Sequence, residues 1–295
     1  MRRLLVTGAT GQLGRELQAL PLPRGWVIEA TDRSRLDLGD PAAIAAFVVA
    51  GDFAAVINAA AYTAVDQAEG DMLAAWQINA MAPAALASGC AEAGIPIVHV
   101  STDYVFDGQG AGAREPGDPV GPISVYGASK LGGELAVATS GARHVILRTA
   151  WVVSAHGRNF VKTMLRLAAD HDVVRVVADQ HGSPTSAADL AAATLRIALR
   201  LADDSAAPVG VYHFSNAGPT HWADFARAIF AQSVARGGPG AAVENVGSDE
   251  YPTVVKRPAN SLLGCATLER DYGIVPRPWP EALADIMDQL VGVTG

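Results

Sequence analysis

The feature that most constrains this chain stands at its start. An apolar, β-rich run, Arg3–Thr7, leads directly into Gly8-Ala9-Thr10-Gly11-Gln12-Leu13-Gly14 and then into a helical pattern over Gln12–Leu20. A G-x-x-G-x-x-G turn between a strand and a helix has few structural solutions. Gly8 permits the tight turn, Gly11 lets the backbone approach a pyrophosphate, and Gly14 lets the helix pack closely on the strand. The helix then offers unpaired N–H groups to phosphate charge. Gly8, Thr10, Gly11, Gln12, Leu13 and Gly14 are therefore the first half of an expected dinucleotide site.

The pattern that follows fits this turn. Further strands are expected at Trp26–Thr31, Ala55–Asn58, Ile97–Ser101 and His144–Arg148. Helices are expected between them at Pro41–Val49, Met72–Cys90 and Val125–Thr139. Alternating helices and nearly continuous apolar strands imply an α/β fold: a doubly wound parallel sheet of Rossmann type, with ligands beyond the carboxyl ends of its strands. Residues 1–155 are expected to form this nucleotide-binding domain, with a strand near 210–216 returning to the sheet. Residues 156–295 are expected to form mainly a smaller substrate-binding lobe. Its elements are helices at Asn159–Ala169, Ser186–Leu201, Trp222–Ala235 and Pro280–Val291, one strand at Asp172–Ala178, and turn-rich chain over Arg257–Trp279.

Composition narrows the function. Lys plus Arg total 22 and Asp plus Glu 30, a formal charge of −8, which argues against a nucleic-acid partner. Apolar residues make up 50% and charged residues 18%, enough for a large core and too little charge for disorder. Two cysteines, Cys90 and Cys265, give neither a disulfide scaffold nor a thiolate cluster. The three apolar residues between Arg3 and Gly8 are too few for a secretory leader, and no apolar run is long enough to span a membrane. A cytoplasmic protein without a membrane partner is expected. Only three of the 22 basic residues are lysines, Lys130, Lys162 and Lys256, so each invites a question.

The second strand ends at Asp32-Arg33. Asp32 suits an adenine-ribose 2′-hydroxyl, whereas Arg33 suits a 2′-phosphate. NADPH and NADH both remain open as the cofactor. Asp37 and Leu38, with Ala59, Ala60 and Ala61 after the third strand, are expected walls for the adenine and the ribose.

The fourth strand runs into Ser101-Thr102-Asp103-Tyr104, and Tyr126-Gly127-Ala128-Ser129-Lys130 follows on a helix. Tyr and Lys at i, i+4 share a face. A phenol titrates near 10, too high for easy proton exchange at neutral pH. A neighbouring ammonium lowers that value and makes the tyrosine an acid or base. Lys130 suits this because its compact head can also bond a cofactor ribose. A strand-end hydroxyl, Thr102 or Ser101, can hold a substrate carbonyl during hydride transfer.

These motifs resemble the extended short-chain dehydrogenase/reductase superfamily. More closely, the chain resembles the dTDP-4-dehydrorhamnose reductase family. The resemblance rests on the glycine turn, Asn58-Ala59-Ala60-Ala61-Tyr62-Thr63-Ala64-Val65-Asp66, Ser101–Gly108, Tyr126–Lys130, Arg148-Thr149-Ala150-Trp151-Val152, Asp179–Thr185 and Arg257-Pro258-Ala259-Asn260-Ser261. It implies reduction of the C4 ketone of dTDP-6-deoxy-L-lyxo-4-hexulose by NAD(P)H, the last step of dTDP-L-rhamnose synthesis. Carried over, Tyr126 donates the proton, Lys130 lowers its pKa and holds the ribose, and Thr102 positions the ketone. Thr63 joins the cofactor set, and Val65, Asp103, Tyr104 and Trp151 line the sugar pocket. Asn159, Gln180, Arg257 and Asn260 serve the nucleotide-sugar end. The partner is then a small nucleotide sugar, and the protein a monomer or homodimer.

Two other readings share these residues. One keeps the chemistry but changes the nucleotide-linked 4-keto-6-deoxy sugar. The other is a non-catalytic NADP(H)-binding subunit like the regulatory subunit of methionine adenosyltransferase. Some family members form magnesium-linked dimers through surface glutamates. Glu16 matches one such position, but Asp189 stands near the second and no third carboxylate is evident. No metal is expected.

Overall fold

The computed structural model describes residues 1–292. Its central sheet is built from β1 (Arg2–Thr7), β2 (Trp26–Thr31), β3 (Ala55–Asn58), β4 (Ile97–Thr102), β5 (His144–Thr149) and a sixth strand, Gly210–His213. The spatial order is sixth strand, β5, β4, β3, β1, β2, and every pair is parallel. The order reverses between β1 and β3, so a crevice opens at the carboxyl ends of these strands. The glycine turn lies there, between β1 and helix α1 (Gln12–Ala19).

Both faces of the sheet are covered, as its apolar strands require. On one face Leu5, Val56, Ile97 and Ile146 pack with Ile44 and Val48 of helix α2 (Pro41–Ala50), with Leu86, and with Val137. On the other, Leu4, Val6, Val98 and Leu147 pack with Leu17 of α1 and with Leu190 and Ile197 of the helix Ala187–Asp203. Leu268, Tyr272 and Ile274 join that second core. The late segments 187–203, 210–213 and 266–274 thus build the sheet domain although they lie far along the chain. A separate core of Val161, Met164, Val176, Phe225, Ile229 and Ile286 holds the remaining C-terminal elements together.

Three elements differ from the sequence pattern. The expected helix Met72–Cys90 is interrupted by a π-helical turn, Gln77–Met81, between Met72–Trp76 and Ala82–Ala93. The stretch Ala242–Val246 forms a strand parallel to Val173–Val177. Its Glu244 and Asn245 obscure any apolar run. The turn-rich segment contains the short helix Ala266–Tyr272, closed by left-handed Gly273. Among the described residues no helix is long and apolar enough to cross a membrane.

Candidate active site

A cleft of about 860 Å³ follows the carboxyl edge of the sheet, from Asp32 and Asp37 at one end to Tyr126 and Lys130 at the other. The glycine turn forms its floor. Gly8 has φ +76°, and a β-carbon there would lie 2.8 Å from the Ala60 nitrogen. A β-carbon on Gly14 would lie 2.1 Å from the Gly8 carbonyl oxygen, so only glycine lets α1 start against the turn. Helix α1 has no side-chain cap and no acidic residue in its first turn. Its first N–H groups are left for an anion. Thr10, Gly11, Gln12 and Leu13 line the cleft, as do Ala59, Ala60, Ala61, Thr63 and Leu38.

Asp32 and Arg33 stand exposed at the adenosine end. Asp32 accepts hydrogen bonds from the Ser34 amide (2.9 Å) and the Ser34 hydroxyl (2.6 Å). These hold its carboxyl below the usual range. Arg33 lies 3.8 Å from Asp37 with 89% of its side chain exposed. Both the ribose acceptor and the phosphate cation are present.

At the far end Ser124 caps the helix Val125–Thr139 through the Gly127 amide (3.1 Å). Tyr126 therefore sits in the first turn, where the helix dipole is positive. Its phenol is 8% exposed and packs edge-on against Tyr104 at 5.4 Å. Burial pushes its pKa up, the Thr102 hydroxyl bonded to it pulls down, and Asp103 and Tyr104 push up again. Lys130 lies one turn further along the same helix. Its ammonium, 2% exposed, donates to the Val100 carbonyl at 2.7 Å, and burial lowers its own pKa to about 8. The phenol is thus held protonated, as a proton donor requires, and Lys130 lines the cleft beside it.

Behind these groups lies a buried support. Asp103 is 4% exposed and accepts hydrogen bonds from Thr102 (3.0 Å) and Ser261 (2.5 Å), and burial raises its pKa to about 6. One step further along the helix from Lys130, Glu134 makes a two-pronged ion pair with Arg148 at 2.9 and 2.7 Å. Asn79, within the π-helical turn, was not anticipated. It accepts from the Tyr62 amide (2.8 Å) and donates to the Tyr62 carbonyl (3.1 Å) and to Ser129 (3.0 Å). It therefore fixes the Ala59–Tyr62 wall to the Tyr126 helix. An asparagine within an alanine-rich helical run was the available signal.

The residues expected to bind substrate are distributed unevenly. Tyr104 adjoins Tyr126, and Arg257 bonds both the Tyr104 phenol and Asp66. Val65 packs in the same cluster as Tyr62, Tyr104 and Tyr126. Trp151 adopts φ +51° and stacks on Trp222 at 3.6 Å. Asn159, Gln180 and Asn260 are occupied elsewhere. Asn159 caps the helix Phe160–Asp170 and bonds Gln12 (2.8 Å), Gln180 donates to Ser248 (2.9 Å), and Asn260 donates to the Gly112 carbonyl (2.8 Å). Glu16 lies 3.8 Å from His156, and Asp189 pairs with Arg277 at 2.9 Å.

Residues 1–291 match the family described as the RmlD substrate binding domain. A dTDP-4-dehydrorhamnose reductase from Sinorhizobium fredii is 43% identical over 281 residues, covering 95% of each chain. The chain is also similar to the crystal structure of a dTDP-4-dehydrorhamnose reductase from Clostridium acetobutylicum, with a TM-score of 0.91 and 38% identity over 98% of this chain and 99% of that one. A counterpart from Bacillus anthracis, solved in complex with NADP, gives a TM-score of 0.89 and 35% identity, covering 98% of this chain and all (100%) of that one.

Proposed function

The chain belongs to the RmlD, or dTDP-4-dehydrorhamnose reductase, family, and on that premise we propose that it reduces the C4 ketone of dTDP-6-deoxy-L-lyxo-4-hexulose to give dTDP-L-rhamnose. The observation that carries this reading is the meeting of Tyr126 and Lys130, backed by Thr102, at one end of a cleft whose floor is a glycine turn. The cleft suits a reduced nicotinamide dinucleotide: its floor glycines leave no room for side chains, and unpaired amides face it. When bound, that group supplies the hydride.

The chain's own residues do the rest. Tyr126 gives its phenolic proton to the oxygen that gains charge as the ketone is reduced. Its elevated pKa keeps the proton in place until then, and the helix N-terminus stabilises the phenolate that follows. Lys130, anchored on Val100, directs its remaining N–H groups to the cofactor ribose. Tyr104 and Trp151 enclose the sugar ring, and Arg257, held by Asp66, supplies a cation for the diphosphate of the sugar nucleotide. An acid, its hydroxyl partner and a ribose-binding cation, all in place, favour turnover over a purely regulatory subunit. The proposed setting is the cytoplasm, without a nucleic-acid or membrane partner, as a monomer or homodimer. The test is oxidation of NADPH and NADH, followed by ultraviolet absorbance, against a panel of nucleotide-linked 4-keto sugars. Turnover is expected with the dTDP-linked 6-deoxy-4-hexulose. Turnover confined to a different sugar nucleotide, or absent with all of them, would contradict the proposal.

A further inference from the structure

Three cations line the cleft: Arg33, Lys130 and Arg158. Arg33 stands at the adenosine end beside Asp37, and Lys130 is buried beside Tyr126. Arg158 arrives from the C-terminal half of the chain and belongs to no motif of the sequence.

Its position is set by Gln12, the first residue of α1. The Gln12 side-chain oxygen accepts hydrogen bonds from Ser154 (3.0 Å) and Asn159 (2.8 Å), and its amide nitrogen donates to the Val152 carbonyl (3.4 Å). The loop between Val152 and Asn159 is thereby stitched onto the start of the helix. Gly157, with φ +64°, lies so near that a β-carbon there would be 3.4 Å from the Gln12 Cγ. Lys162 reinforces the loop from below by donating to the Ala155 carbonyl at 3.1 Å. Arg158 follows Gly157, is exposed, and joins none of the ion pairs among the described residues. Arg158 thus lines the same cleft as Thr10, Gly11 and Gln12 of the glycine turn.

We propose that Arg158 binds the diphosphate bridge of the dinucleotide, closing from above the anion site that the glycine turn forms from below. The proposal rests on reading the cleft as a dinucleotide site and adds a residue to it. Two arguments favour the bridge over other anions. A diphosphate carries two charges, and the backbone amides of the turn supply only partial ones. The 2′-phosphate position lies at the other end of the cleft, beside Asp32 and Arg33. Gln12 is then a positioning residue, since it carries the loop that presents the arginine.

The test is binding in the absence of sugar, read by cofactor fluorescence for NADPH and NADH and by calorimetry for ADP-ribose and TDP. Arg158→Gln is expected to weaken NADPH, NADH and ADP-ribose by one common factor, about five- to twentyfold, the effect of one solvent-accessible charge-assisted contact. Arg158→Lys should recover most of the loss, Arg158→Glu should exceed it, and TDP binding should not change. Unchanged affinity for NADPH would overturn the proposal. So would a loss confined to NADPH, which would assign Arg158 to the 2′-phosphate, or a loss confined to TDP, which would assign it to the sugar nucleotide. If the unaltered protein bound neither NADPH nor NADH, the reading of the cleft would fall, and this proposal with it. Because Arg158 is exposed, the melting temperature of each variant should match that of the parent.

Discussion

Replacing Glu134 with Gln tests how the catalytic helix is held. The Glu134 and Arg148 side chains are 4% and 5% exposed, and their two hydrogen bonds join the helix Val125–Thr139 to β5. Glu134→Gln keeps the shape and removes the charge. The Arg148 guanidinium then remains buried with the Gln amide oxygen, the Pro116 carbonyl (3.3 Å) and the face of Phe106 (5.0 Å to its centroid), but with no carboxylate to offset its charge. Breaking one side of a buried pair costs about 3–5 kcal/mol, and these residual contacts put the expected value near the lower end, about 3 kcal/mol. For a chain of this size that lowers the melting temperature by about 5 °C. The charge of Glu134 also raises the pKa of Lys130 against the stronger effect of burial. Its loss should lower the Lys130 pKa further and weaken cofactor binding at alkaline pH first. The assay is thermal melting of Glu134→Gln, Arg148→Met and Glu134→Leu with Arg148→Met together. The double variant, with an apolar pair in place of the ionic one, should melt well above the sum of the two single losses. Additive losses, or a Glu134→Gln variant as stable as the parent, would show that the pair does not hold the helix in this way.

Other substitutions probe the remaining supports. Gly14→Ala should abolish detectable cofactor binding while the protein still folds, because the new methyl group meets the Gly8 carbonyl oxygen at 2.1 Å; dinucleotide titration and circular dichroism check both halves. Tyr126→Phe should lower the rate by at least about a hundredfold and leave the dissociation constant of NADPH unchanged. The Asp103 carboxyl has a folded pKa of about 6 against an ordinary 3.8, so the folded state binds the extra proton between those values. Its contribution to stability is full below pH 3.8 and fades as pH rises through about 6. Asp103→Asn should flatten the stability slope in that window, as measured by urea unfolding at several pH values.

The sheet domain was legible because its signals are local. The turn residues, the apolar strands and the Tyr126–Lys130 spacing all fall within short stretches of sequence. The strand Gly210–His213 could be read for the same reason. The strand Ala242–Val246 was hidden because Glu244 and Asn245 interrupt its apolar pattern and its pairing with Val173–Val177 is long-range. The π-helical turn at Gln77–Met81 was hidden because the alanine-rich run Met72–Cys90 has no sharp apolar face whose phase an extra residue could be seen to shift. The site shows the same division. Thr102, Tyr126 and Lys130 stand out in the sequence, but the raised pKa of Tyr126 follows first from its burial, which no spacing shows. Asn79, Gln12 and Arg158 act through contacts with distant parts of the chain, and no spacing announces such contacts.

In this cleft, hydride transfer is expected to reach the C4 carbon of a dTDP-linked keto sugar. It is tested most directly with NADPH carrying deuterium at the transferable C4 position of the nicotinamide, and with freshly made dTDP-6-deoxy-L-lyxo-4-hexulose. Nuclear magnetic resonance of the product should show deuterium at sugar C4 of dTDP-L-rhamnose, with none formed by Tyr126→Phe over the same time. Product without label at C4, or label transfer undiminished in Tyr126→Phe, would contradict the account.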